Sequence, residues 1–301
     1  MLAKIFTPLA CIALILSACA PSTTAAYDTD PGENGYYLTE VKPDPEVRAL
    51  VPENLKKVGI LKNVSATDYA PAEYRKTDGK TPTGYDIDLA RAIAKTMGLK
   101  DARTTHYTFA DLLKKVGSTA DVAISSFTIT AQRETQTNMV SYMQAWSQYA
   151  VAVGNPKKFD STRPCGTTIG VQNGTFQLDF LQKASQKCVQ NGEKPITIKI
   201  HERQSEITTL VLEKKYDATL ADSTVISYTS RKTGGRLEKF GPAAHTLPQG
   251  ILVSKNDSAL TEAVQAAVQK LMDSGELKKI LEHYGAGDTA LKNANINPPA
   301  N

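Results

Sequence analysis

The chain has 301 residues, with 35 Lys and Arg against 31 Asp and Glu and a formal net charge of +4. That length can bury a sizeable core and commonly makes about two domains. The two signs of charge are interleaved, with no basic run and no aromatic–basic stripe, which argues against a nucleic-acid partner and reads as a solvated face.

At the N-terminus, Lys4 precedes an apolar run from Ile5 to Leu16 that Pro8 interrupts. The run falls short of the about 20 residues a membrane span needs and has the length and flanks of a secretory signal. It ends in Leu16-Ser17-Ala18-Cys19, which resembles a bacterial lipobox. That resemblance implies cleavage before Cys19 and lipid on its sulfur, tethering the protein to the outer face of the cell membrane. The alternative is an ordinary signal with Cys19 incidental. Residues 1–18 are therefore expected to be a signal peptide. Residues 19–46, rich in Ser, Thr, Ala, Pro, Asp and Gly, are expected to be a flexible linker.

Short apolar strands then alternate with amphipathic helices. Val58–Leu61 reads as a strand, and Asp86–Met97 as a helix with Ile87, Ala90, Ile93, Ala94 and Met97 on one face and Gly98 ending it. Phe109–Val116 reads as a helix and Val122–Ile124 as a buried strand. Thr168–Val171 is a strand, and a helix follows over about Thr175–Lys187. Ile196–Ile200 and Ala218–Ala221 are strands flanking a helix over Glu206–Glu213, and Ser258–His283 gives two closing helices. The alternation implies α/β layers. Residues 289–301 look like a frayed tail.

Of the four cysteines, Cys11 lies in the signal and Cys19 at the lipobox. Cys165 and Cys188 remain, and an even pair in an oxidising compartment is read most economically as a disulfide. Two unpaired buried thiols are the alternative. His106, His201, His245 and His283 lack ligand spacing, so neither a metal site nor a cofactor is expected.

The stretch Gly84-Tyr85-Asp86-Ile87-Asp88-Leu89-Ala90-Arg91-Ala92-Ile93-Ala94 resembles the signature of the family 3 extracellular solute-binding proteins, the polar amino-acid receptors of ABC importers. The resemblance runs over about residues 55–286. It includes Asp68-Tyr69-Ala70-Pro71, the segment Asp121 to Thr130 with Arg133, Val171-Gln172-Asn173-Gly174-Thr175, and Asp217 to Asp222, in that order. It implies a periplasmic-binding-protein-like α/β fold of class II type: two lobes joined by two crossover strands, with the ligand between them. Lobe 1 is then discontinuous, residues 47–147 and 248–288, and lobe 2 is 148–247. The crossovers are expected near Ser147–Ala150 and Thr246–Gln249. The resemblance also implies a monomer working with the membrane subunits of an importer.

By that resemblance, Arg133 holds an amino acid's α-carboxylate, as a planar guanidinium can by paired hydrogen bonds. Arg133 alone could equally be a surface residue paired with Glu134. In the loop before it, Ser126, Phe127 and Thr128 are assigned to the ligand, with Ser126 accepting from the α-ammonium and Thr128 donating to the carboxylate. Taken alone, such a Ser/Thr pair is a plain turn or cap. Gly174 and Thr175 place a glycine and free amides at a helix start, a ready anion site. Asp222, after a strand, is assigned to the α-ammonium, or else merely caps the next helix. Tyr69 and Phe109 are implied as flat walls for the ligand side chain, or are core.

Gln172 favours a polar ligand side chain. Ala66 stands where basic-amino-acid receptors of this family often carry an acid, which argues for a polar, non-basic ligand unless Glu73 or Asp68 compensates. Ala72, where the family often has Phe, suggests a roomier pocket. No enzyme is expected. The rival reading is a secreted enzyme like the cyclohexadienyl dehydratases, with Glu73 as the nearest candidate acid. A third is a structural lipoprotein with an empty cleft, which leaves Arg133, Thr175 and Asp222 unexplained.

Overall fold

The computed structural model describes residues 30–299. The signal, Cys19 and the first part of the expected linker lie outside the described residues. The described chain begins with three short helices, α1 (Pro31–Asn34), α2 (Pro45–Leu50) and α3 (Glu53–Val58). Asp44 caps α2, its carboxylate accepting from the backbone N–H groups of Glu46 and Val47. Gly59, at φ +72°, ends α3. That corrects the expected strand start: Val58 is an exposed helix residue, and β1 (Ile60–Ser65) begins after the glycine.

Lobe 1 continues with β2 (Tyr74–Arg75), β3 (Pro82–Thr83), α4 (Tyr85–Thr96), β4 (Asp101–His106), α5 (Phe109–Leu112), β5 (Val122–Thr128) and α6 (Ala131–Glu134). The expected helix over Phe109–Val116 is one α-turn followed by a 3-10 turn, Leu113–Lys115. The long strand β6 (Thr137–Ala152) leads to lobe 2, which comprises β7 (Thr168–Gln172), α7 (Phe176–Gln190), β8 (Thr197–His201), α8 (Gln204–Leu212), β9 (Ala218–Asp222) and α9 (Ser223–Lys232). A second long strand, β10 (Leu237–Ser254), returns the chain to α10 (Ser258–Asp273) and α11 (Glu276–His283).

The strands form one eight-stranded order, β4-β1-β5-β10-β6-β9-β7-β8. The outer triads are parallel, as strand–helix–strand crossovers require, whereas β10 and β6 run antiparallel to their neighbours. β5 pairs with β10 between Gln249 and Val253, and β9 pairs with β6 between Ser147 and Ala150. Each long strand thus gives one end to each lobe. Their mutual register shifts between Ala244 and Leu247, where His245 takes φ +51°.

Two expectations about the termini are corrected. Residues 31–46 do not form a free linker from residue 31 onward. Val41 is buried, the Tyr36 N–H donates to Asp88 at 2.7 Å, and the Lys95 ammonium donates to the Leu38 carbonyl at 2.6 Å. Tyr36, Leu38 and Val41 are the apolar residues that a compositional reading of the segment discounts, and they pack on lobe 1. The tail is not frayed either. β9 covers β6 only from Ser147 onward, so the backbone of residues 139–143 has an open edge. The tail fills it: the Asn295 carbonyl accepts from Ser141 N–H at 3.0 Å, and Asn297 N–H donates to the Met139 carbonyl at 2.8 Å.

Cys165 and Cys188 form a disulfide that ties the loop before β7 to the last turns of α7 across 23 residues. Among the described residues no helix is long and apolar enough to cross a membrane, and no group of His, Cys, Asp and Glu could hold a metal ion.

Candidate ligand-binding site

The C-terminal ends of β5, β7 and β9 face one another across the cleft, the usual place for a ligand in α/β sheets. Tyr69, Phe109, Ser126, Thr128 and Arg133 of lobe 1 meet Gln172, Thr175, Phe176, Gln177 and Asp222 of lobe 2 around one cavity. Its space is about 240 Å³, of which about 10 Å³ admits the centre of a water molecule. The lobes are therefore drawn together. A larger groove lies beyond Phe176, but Arg133 and Asp222 do not converge there.

Hydrogen bonds and hydroxyl contacts bridge the lobes. The Asp222 N–H donates to the Tyr69 hydroxyl at 3.0 Å, the Arg133 guanidinium donates to the Gly174 carbonyl at 3.0 Å, and the Tyr85 and Thr224 hydroxyls lie 3.3 Å apart. Gly174 stands at φ +74°, and a Cβ there would lie 3.0 Å from Ala110 Cα of the opposite lobe. Glycine thus meets both a left-handed backbone and a close approach.

Arg133 follows the Thr130 cap of α6, whose hydroxyl accepts from the Arg133 N–H. Its guanidinium also donates to the Thr128 carbonyl at 2.6 Å and lies over the Phe109 and Phe127 rings, at 5.7 and 5.4 Å. Burial lowers its pKa to about 10, with Asp179 and Asp222 opposing, so it stays charged at neutral pH. Glu134 is not its partner; the guanidinium points inward to backbone carbonyls.

Asp222 is buried, and each carboxylate oxygen already accepts one amide hydrogen, from Gln177 at 2.8 Å and from Gln249 at 2.9 Å. Burial pushes its carboxyl up to about 6, while those two amides, Tyr69 and the Arg133 charge hold it down. Asp222 is also the residue preceding α9, but its side chain makes no cap bond there.

Thr175 caps α7, its hydroxyl donating to the Gln172 carbonyl and accepting from the Leu178 N–H. The Gln172 side-chain amide donates to the Glu202 carbonyl at 2.9 Å. Of the residues assigned to the ligand, Phe127 and Gly174 do not line the cavity. Phe127 is on the strand between Ser126 and Thr128, so its ring turns away from theirs and stacks behind Phe109 at 4.7 Å. Ala72 is buried with its carbonyl against Gly84 and does not line the cavity, so it adds no room. Phe176, Gln177 and Gln249 are additions. Gln177 carries a usable signal, a glutamine on the inward face of α7 with Leu178 and Leu181. Gln249 carries none locally.

The matching family model is that of the bacterial extracellular solute-binding proteins, family 3, over residues 61–287. The chain belongs to that family. A relative from Corynebacterium glutamicum, an arginine-binding protein, is 29% identical over 96% of this chain and 94% of its own. An ancestral arginine-binding protein solved with arginine covers 75% of this chain and 98% of its own, at 25% identity and a TM-score of 0.66. One solved with glutamine covers 76% and 98%, at 26% identity and a TM-score of 0.65. The two-lobed α/β architecture is thus that of the periplasmic amino-acid-binding proteins, and the relatives named are binding proteins rather than enzymes.

Proposed function

We propose that this family 3 protein captures a free L-amino acid by closing its lobes and delivers it to the membrane subunits of an ABC importer. One observation carries the reading: Arg133 and Asp222, opposite charges from opposite lobes, converge on one small cavity. A zwitterion would set its carboxylate on Arg133, with Thr128, Gly174 and Thr175 around it. Its ammonium would meet Asp222 and Ser126. Each charge-assisted hydrogen bond contributes about 1.5–3 kcal/mol. Such bonds need both lobes, so the ligand favours closure by its differential contacts. Similarity to a protein named for arginine binding and to an ancestral arginine-binding protein solved with glutamine supports an amino acid as the ligand.

The side chain would lie between Tyr69, Phe109 and Gln172. With Ala66 uncharged and Gln172 offering an amide, the ligand is polar and non-basic. A basic ligand is the second reading. It is favoured by the arginine-binding relatives and by Asp68, whose buried Oδ1 has no hydrogen-bond partner and whose pKa burial raises to about 6. An enzyme reading is disfavoured by Glu73, which is buried away from the cavity with Ser125 donating to it at 2.6 Å. Lipid on Cys19 would keep this monomer near its importer.

A thermal-shift screen of refolded protein against the common amino acids, prephenate and arogenate tests this. A ligand at 100 times its dissociation constant adds about 2.7 kcal/mol. A shift with a polar, non-basic amino acid, lost in Arg133→Ala, is the expected result. A shift confined to arginine, lysine or histidine selects the second reading. No amino-acid shift overturns both, and turnover of prephenate or arogenate establishes an enzyme.

A further inference from the structure

Beneath Ser126 two carboxylates are buried side by side. Glu73 and Asp86 are both fully buried, they hydrogen-bond each other, and neither takes part in a salt bridge among the described residues. The groups facing them are acids and phenols: Asp68 and Tyr69 from the loop before Glu73, Tyr85 from α4 and Tyr142 from β6. Like charges in such a place cannot both ionise, so the pair shares a proton. Burial and the neighbouring Asp86 push Glu73 well above the ordinary carboxyl range, so it keeps that proton. Asp86 is raised by burial but held down by donors, the Tyr142 hydroxyl at 2.7 Å and the Ser126 N–H at 2.7 Å, and it carries the charge.

Ser126 is bound to this pair twice. Besides its N–H, its hydroxyl lies 3.2 Å from the same Asp86 oxygen and 3.5 Å from Glu73. The residue takes φ +51°, a left-handed conformation that costs a serine energy and needs holding in place.

We infer that the Glu73–Asp86 pair is a positioning unit that holds Ser126 with its hydroxyl proton turned inward, so that an oxygen lone pair meets the ligand's ammonium. The unit sets discrimination for an amino group over a hydroxyl at the ligand's α-carbon. A hydroxyl donated to a carboxylate has only acceptor capacity left for a ligand, and the buried negative charge reinforces the preference for a cation. The role rests on the receptor reading above, because it presumes an α-ammonium at Ser126.

Two measurements test it on the full protein. Carbon-13 carboxyl shifts of Glu73 and Asp86 are followed against pH, free and with L-glutamine, L-glutamate or L-arginine, each beside its 2-hydroxy acid. The expected result is one shared proton at pH 7 and a titration of the pair that moves down with the amino acid and stays with its hydroxy acid. Both groups ionised at pH 7, or equal movement with both ligands, overturns the inference. Calorimetry on Asp86→Asn, Ser126→Ala and the double variant is the second. Asp86→Asn loses about tenfold of the preference for the amino acid, and Ser126→Ala absorbs that loss, leaving the double variant no worse. Equal weakening of amino and hydroxy acids, or additive losses, overturns the inference even where Arg133→Ala still abolishes binding and upholds the receptor reading. Failure of every common amino acid to bind the parent protein overturns the inference together with that reading.

Discussion

The Tyr69 hydroxyl in one lobe accepts the backbone N–H of Asp222 in the other at 3.0 Å. The Asp222 carboxylate is held at the same time by Gln177 of lobe 2 and Gln249 of the returning long strand. Lobe 1, lobe 2 and a crossover strand therefore meet at one residue, and any ligand group bound there reports on closure.

Removing the clasp separates closure from ligand contact. Tyr69→Phe keeps the ring that walls the cavity and deletes one buried hydrogen bond, worth about 1 kcal/mol. Ligand affinity is expected to fall about fivefold by calorimetry. Small-angle scattering should show a larger fraction of open molecules without ligand. Unchanged affinity and scattering would mean that the remaining bridges hold the lobes alone.

Gly174→Ala attacks the same closure through the backbone. The left-handed conformation costs a non-glycine residue about 1–2 kcal/mol. The added methyl also meets Ala110 of the opposite lobe, near 3.0 Å from its Cα. The backbone cost falls on the ligand-free protein as well and lowers its melting temperature, whereas the contact with Ala110 opposes only closure, so affinity is expected to drop about tenfold. Unchanged affinity beside a lowered ligand-free melting temperature would place the whole cost in lobe 2.

The disulfide should matter for stability and not for affinity. It closes a loop spanning 23 residues within lobe 2, and the chain-entropy model assigns such a loop about 3 kcal/mol. Denaturant unfolding of the Cys165→Ser/Cys188→Ser double variant should show that loss, while the ligand's dissociation constant stays within about twofold. A large change in affinity would show that the loop before β7 bears on the cleft.

What the sequence made legible follows from how local each signal is. Arg133, Thr175 and Asp222 each sit where a strand has just ended and a helix begins, and that juncture is written in a few adjacent residues. Helix α4 was readable because Ile87, Ala90, Ile93, Ala94 and Met97 recur at helical spacing. The burial of residues 31–46 and of the tail was not readable. It depends on an open edge of β6 and on the surface of lobe 1, both made by distant segments. Gln249 reaches Asp222 only because the long strand crosses beneath it, so no neighbouring residue announces it. Phe127 is the opposite case: a segment resemblance assigned three consecutive residues to the ligand, whereas a strand turns alternate side chains to opposite faces and the Phe127 ring lies against Phe109.

Acidity should move stability and affinity in opposite directions. The Asp222 carboxyl is pushed up to about 6 in the folded protein, against 3.8 for a free aspartate. The folded state thus holds its proton more tightly than the unfolded chain does. Between pH 7 and pH 5 the folded protein takes up a proton that the unfolded chain does not, so Asp222 adds about 1 kcal/mol of stability over that interval. The raised Asp68 and Asp86 carboxyls act in the same sense. The ammonium of an amino acid needs Asp222 ionised, so affinity should fall as pH passes below about 6, by up to roughly tenfold per pH unit from this group. Asp222→Asn should flatten its share of the stability rise and weaken binding at pH 7. The melting temperature of ligand-free protein and the calorimetric dissociation constant, each measured from pH 7 to pH 5, check the two halves. Stability and affinity that both stay level from pH 7 to pH 5 would mean that Asp222 is ionised throughout this range in the folded state.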